Sequence, residues 1–138
     1  MKYLYTKGSR VSWRDLADKE KMLIPNEAGA GFTAKSIMWL FDKLGFEFGN
    51  YNFSQHDMYY AAGGNIFDKI KADTLMLLYM QVDSFYQKKK WQGFSIFFVV
   101  APLAFVTVST VGLFIFRFGD YWDKKKLLNH FKGRLAKQ

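Results

Sequence analysis

The chain has 138 residues, half of them apolar and a fifth aromatic, with 20 Lys/Arg against 12 Asp/Glu for a formal charge of +8, and it has no Cys. The lack of Cys excludes disulfides, thiolate metal ligands and thiol nucleophiles. The length allows at most one small domain beside the apolar segment described below. Charge is uneven: residues 1–93 hold 13 basic and 10 acidic side chains, residues 117–138 hold 7 and 2, so the C-terminal tail is the basic part.

Lys2, Lys7, Arg10 and Arg14 precede the first acid, Asp15, with Tyr3, Tyr5 and Trp13 among them. This start is as poor in acids as a mitochondrial transit peptide, but the expectation is a retained basic N-terminus that hugs a surface or stays unstructured. No apolar run of a secretory signal occurs near it.

Gly29, Gly31 and Ala34 fit G-x-G-x-x-A, the pattern of a glycine turn that admits a pyrophosphate to a helix N-terminus. Pro25, Asn26 and Glu27 separate it from the strand-like Met22–Ile24, whereas the fingerprint needs a strand running straight into the turn. A flexible loop without a cofactor is expected. Thr33 is suited to cap the helix that follows, at about 33–45. There Ile37, Leu40, Phe41 and Leu44 recur at helical spacing and Gly45 is placed to stop it.

Residues 46–64, FEFGNYNFSQHDMYYAAGG, mix aromatics with Gly, Asn and Ser at no steady period and read as an aromatic-rich loop. So many rings are not left in water, and a small chain has little core for them, so the loop is expected to dock on another subunit and be ordered by it. His56 beside Asp57 lacks a nucleophile or second ligand in its vicinity and is read as structural.

Asn65 and Asp68 form a capping-box pattern at the start of a second helix from about 66. Ile66, Ile70, Leu77, Leu78 and Phe85 fall on or near one side of it. No Gly or Pro intervenes before Gly93, so this helix is expected to continue into the apolar segment as one rod of about 50 residues, roughly 75 Å long.

Residues 94–116 run for 23 residues without an ionisable side chain. At 1.5 Å per residue they reach about 35 Å, enough to cross a hydrocarbon core of about 30 Å. One membrane span is the reading; the apolar core helix of a soluble protein is the alternative. Lys88, Lys89, Lys90 and Trp91 before the span, and Arg117, Tyr121, Trp122, Lys124, Lys125 and Lys126 after it, have the composition of membrane-interface residues. Pro102 removes a backbone hydrogen bond and is expected to kink the helix. Ala101, Ala104, Val108 and Gly112 form a small-residue face for helix packing, while Thr107, Ser109 and Thr110 can bond to helix carbonyls. In the tail, Leu127, Leu128, Phe131 and Leu135 suggest a basic amphipathic helix along the headgroups, with His130 solitary. Anionic, cardiolipin-like lipids suit such a tail, at about 1 kcal/mol per basic residue near the surface. No nucleic-acid module is visible, and no nucleic-acid partner is expected.

Tyr86, Lys88 to Lys90 and Gly93 ahead of the span, with Tyr121, Trp122, His130 and Lys132 behind it, give roughly the last 50 residues a likeness to a known class. The chain resembles single-span supernumerary subunits of mitochondrial inner-membrane complexes, and among them the subunit f family of F-type ATP synthase. Respiratory-chain accessory subunits share the same architecture. The resemblance implies a non-catalytic structural or assembly subunit, single-pass in the mitochondrial inner membrane, whose partners are other subunits and lipid. It would place the N-terminal part in the matrix, whereas six Lys/Arg within 20 residues after the span against three before it favour the tail on that side. Orientation stays open.

The expected fold is thus an all-α membrane protein: an extramembrane segment 1–93, one transmembrane helix 94–116 continuous with a long preceding helix, a short amphipathic helix, aromatic-rich loops and a basic tail 117–138. No catalytic, cofactor-binding or metal-binding residues are assigned. A tail-anchored outer-membrane adaptor and a membrane-anchored nucleotide-binding enzyme are the alternatives.

Overall fold

A computed structural model describes residues 11–25, 32–49 and 52–137. The glycines of the G-x-G-x-x-A pattern and residues 1–10 lie outside the described residues, whereas from Val11 onward the N-terminal segment expected to hug a surface or stay unstructured is folded, with Val11, Leu16 and Ile24 in the core. Among the described residues the structure is helical, without strands, and one isolated parallel bridge joins Gly64 to Phe118. A 3-10 turn at Trp13–Asp15 is followed by α1 (Asp18–Lys21), α2 (Phe32–Leu44), α3 (Asn52–Ala62) and α4 (Ile66–Asp83). Then come α5 (Lys90–Ile115) and α6 (Lys124–Leu135).

The helix expected at 33–45 is α2, already formed at Phe32, so Thr33 lies within it rather than capping it. Gly45 ends it with φ +74°, and the Phe46 amide reaches back to the Phe41 carbonyl at 2.9 Å, closing off carbonyls that the last turn leaves open. The Asn65 cap is also in place. Its side chain accepts from the Phe67 and Asp68 amides at 2.9 and 3.1 Å, and Asp68 accepts from the Asn65 amide at 2.9 Å.

The expected loop at 46–64 is irregular at 46–49 but not throughout. From Asn52 to Ala62 it is helix α3, and eight of those residues are buried. Periodicity failed to reveal it because amphipathic spacing reports a helix with one wet face, and α3 has almost none. Its rings enter the chain's own core: Phe53 packs with Met76, Met80 and Ala101, while Met58 and Tyr59 join Val11, Leu16 and Ile24. Gly63, at φ +75°, ends α3 and lies so close to the carbonyls of Arg117 and Asp120 that a side chain has no room there.

Nor do α4 and the span form one rod. The chain leaves α4 through a 3-10 turn at Ser84–Tyr86, becomes extended at Gln87, and restarts at Lys90. Asp83 accepts from the Gly49 amide at 2.9 Å and Asn52 Nδ2 at 2.8 Å, and Gln87 accepts from the Glu47 amide at 2.8 Å. Polar side chains that read as ordinary helix surface in sequence instead fasten the turn to the α2–α3 connection. Doubling back gives α4 a helix to pack on, which a projecting rod lacks. The hairpin closes at its other end where Gly64 donates to the Arg117 carbonyl and Gly119 donates to Gly64.

Ahead of Pro102, residues Ile96–Val100 widen into a π-helical turn. The proline ring would collide with the carbonyl four residues earlier, and the wider turn relieves that contact. Thr107 and Thr110 bond back to the Leu103 and Val106 carbonyls, each at 2.8 Å.

The tail helix α6, capped by Asp123 on the Lys126 amide at 2.8 Å, turns part of its apolar stripe into the protein, while Leu135 stays exposed. Leu127 and Phe131 are enclosed in the same core as Val11, Leu16, Met58 and Tyr59. Replacing Phe131 with Ala should therefore destabilise the fold by about 3–5 kcal/mol. Thermal unfolding of the purified protein in detergent, with limited proteolysis of the tail, checks this. Lost lipid affinity at unchanged stability would instead mean that the stripe rests on a membrane.

Candidate functional site

Four polar side chains distant in sequence meet between α3, α4 and α5. His56 and Tyr60 are one turn apart on α3, and Lys69 and Asp73 one turn apart on α4, so each pair shares a face. Asp73 collects three partners: His56 Nε2 lies 3.1 Å from Oδ1, the Tyr60 hydroxyl 2.7 Å from Oδ1, and Lys69 Nζ 2.6 Å from Oδ2. The ammonium then reaches the span, 3.1 Å from the Ser109 carbonyl and 3.3 Å from that of Val108. Its three protons thus find three acceptors, and helical carbonyls have a second lone pair with which to accept.

Lys69 and Asp73 are 2% and 1% exposed. Burial on this scale is tolerated only when both charges are paired and hydrogen-bonded. Burial alone would lower the His56 pKa, but hydrogen bonds to Asp57 and Asp73 outweigh it and hold the imidazole above its ordinary value. The Tyr60 phenol is driven the same way by burial and by its bond to Asp73, so it stays protonated as a donor. Its ring stacks on His56 at 4.2 Å between centroids and meets the edge of Phe116 at 5.2 Å. The hydroxyl lies over Gly112, where any Cβ would overlap it.

The face formed by Ala101, Ala104, Val108 and Gly112 is thus covered by this chain's own helices. Ala101 is buried against Phe53, Met76 and Met80, with Ala104 and Val108 beside them, and Gly112 lies under Tyr60. The basic and aromatic residues flanking α5 gather at its two ends. Lys88 pairs with Glu47 at 2.7 Å, Lys89 and Lys90 are exposed, and Trp91 contacts Phe46. At the far end Arg117 and Lys126 lie over the Trp122 ring, Tyr121 is half-buried, Lys125 is exposed, and Lys124 bonds to Glu20 at 2.8 Å.

No protein-family model, curated protein or solved structure matches the chain.

The outer surface of the hairpin is as informative as its interior. Every exposed residue of α4 is apolar or aromatic: Ile66, Phe67, Ile70, Leu78, Tyr79 and Val82. Of the expected stripe, Ile66, Ile70 and Leu78 face outward, Leu77 packs against the core and Phe85 lies in the turn beyond α4, while the ionisable residues of α4 face the bundle or cap its ends. On α5, Phe98, Leu103, Val106, Leu113 and Phe114 are likewise exposed. Among the described residues α5 is the one helix long and apolar enough to cross a membrane.

In the sequence His56 has only Asp57 beside it. The missing members were detectable only as a Lys-x-x-x-Asp spacing at 69 and 73, which on a wet helix surface is a common solvated pair. Nothing local announces that Val108 and Ser109 supply the remaining acceptors.

Two outcomes follow from this geometry. Because His56 binds its proton more tightly when folded, its contribution to stability is complete below pH 6.5, its ordinary value, and is lost as pH rises through the elevated folded value. Unfolding in detergent between about pH 5.5 and 9 should show that decline, and His56→Gln should flatten it. Gly112→Ala should displace Tyr60 and cost about 1–3 kcal/mol as overpacking. Unchanged stability for Gly112→Ala would show that Tyr60 is not seated there.

Proposed function

We propose that this chain is a non-catalytic structural subunit of a larger membrane complex, held by α5 and bracing neighbouring subunits and lipid. The observation that carries the reading is the apolar outer face of the α4–α5 hairpin. Large apolar side chains are exposed along both helices, and apolar surface gathered in that way marks a site of contact with lipid or protein. The polar cluster beneath it supports the same conclusion. His56, Lys69 and Asp73 are enclosed and occupied with one another and with backbone carbonyls, an arrangement that fixes helices in place. A mitochondrial inner-membrane energy-transducing complex is the proposed setting, on the likeness of the last part of the chain to supernumerary subunits.

The packing of Leu127 and Phe131 against Val11, Leu16 and Ile24 counts against a tail-anchored adaptor and equally against a single pass by α5 alone, since in both those segments would lie across the membrane from each other. The test is removal of the protein from cells. The amount of assembled complex should fall several-fold while turnover per intact complex is nearly unchanged, and the detergent-solubilised chain should migrate on a native gel within a much larger particle. Intact assembly with abolished turnover would overturn the structural role.

A further inference from the structure

We propose that α4 lies within the membrane alongside α5. The embedded unit is then a helical hairpin whose outer face meets acyl chains and whose inner face holds the Lys69–Asp73 cluster. Residues 11–24 and the tail then lie toward one end of the hairpin, and the α2–α3 connection, fastened at Asp83 and Gln87, lies at the other with the Lys88–Lys90 turn. The inference rests on reading α5 as a membrane span.

The first support is register. Lys69 is opposite Val108 and Ser109, Gly93 lies against the Ser84 carbonyl, and Gly64 bridges Phe118, so α4 accompanies α5 over most of its length. Its 18 residues extend about 27 Å, close to the thickness of a hydrocarbon core. A bilayer that takes in α5 must take in its antiparallel companion or strip it away.

Polarity is the second. Composition alone disqualifies α4 as a span, because it carries Asp68, Lys69, Lys71, Asp73 and Asp83. None of these is exposed: Lys69 and Asp73 are buried, Lys71 lies 5.2 Å from the Tyr59 ring, Asp68 caps the first turn and Asp83 is held by Gly49 and Asn52. A helix in water shows the opposite arrangement, whereas ionisable residues within a membrane face the bundle interior.

The third support is the way the ends meet. The Trp122 amide donates to the Ala62 carbonyl at 2.8 Å, and Lys124 reaches the Asp15 carbonyl at 3.0 Å. Residues 11–24 and the tail thus pack together toward the closed end of the hairpin, while Glu47 and Asn52 are fastened at its turn. The turn carrying Lys88, Lys89 and Lys90 marks the opposite end.

Since the chain has no Cys, each introduced thiol is a unique label. Single variants Lys19→Cys, Lys132→Cys, Lys89→Cys, Ile70→Cys, Leu78→Cys and Leu103→Cys, inserted in sealed native membranes, would be treated with a membrane-impermeant maleimide before and after permeabilisation. The hairpin requires positions 19 and 132 to label from one side and position 89 from the other, with 70 and 78 as unreactive as 103. Labelling of 19 and 132 from opposite sides overturns the proposal. So does labelling of 70 and 78 while 103 stays protected, which leaves the span intact. Labelling at 103 itself would remove the membrane reading on which the proposal stands.

Discussion

The structure depends on one requirement: the charges of Lys69 and Asp73 are out of water and must be satisfied by protein. An ammonium and a carboxylate 2.6 Å apart neutralise each other, but each has hydrogen-bonding capacity that the pair does not exhaust. Tyr60 and His56 take up the carboxylate from α3, and two carbonyls of α5 take up the amine. Three helices are thereby held at one point. Removing either charged partner alone strands the other, which typically costs about 3–5 kcal/mol.

Once the polar side of α4 is committed inward, the rest of its surface follows. Ile66, Phe67, Ile70, Leu78, Tyr79 and Val82 turn outward beside the exposed residues of α5, and the hairpin becomes polar within and apolar without. Small residues make the close approach feasible, Ala101 beneath Met80 and Gly112 beneath Tyr60. The bends are local and accounted for: the π turn absorbs Pro102, and Asp83 and Gln87 anchor the reversal before Lys90. That surface is the basis of the proposed bracing role.

What could be read from the sequence was whatever is decided locally. The uncharged run at 94–116, the Asn65 capping box and the glycine that ends α2 each depend on a few adjacent residues, and each is present in the structure. Helix α3 was illegible because burial on nearly all sides erases the contrast that periodicity detects, leaving Ser54, Gln55 and His56 to look like loop. The hairpin was missed because the residues that turn the chain, Asp83 and Gln87, act through partners more than 30 positions away. Of the stripe expected on α4, Ile66, Ile70 and Leu78 share the exposed surface, whereas Leu77 packs inward and Phe85 lies beyond the helix, because the direction of the face depends on which side the buried charges take. The tail helix was foreseen at Leu127 and Phe131, while its docking onto Val11 and Leu16 is a tertiary event with no local mark.

The central claim is that the Lys69–Asp73 cluster is a lock between helices. A double-mutant cycle on the purified protein in detergent, using Lys69→Met, Asp73→Leu and the pair together, addresses it most directly. Each single change should lower unfolding stability by about 3–5 kcal/mol, and the double variant should recover much of the loss because no charge is left unpaired. Additive losses, or single variants as stable as the parent, would contradict the account.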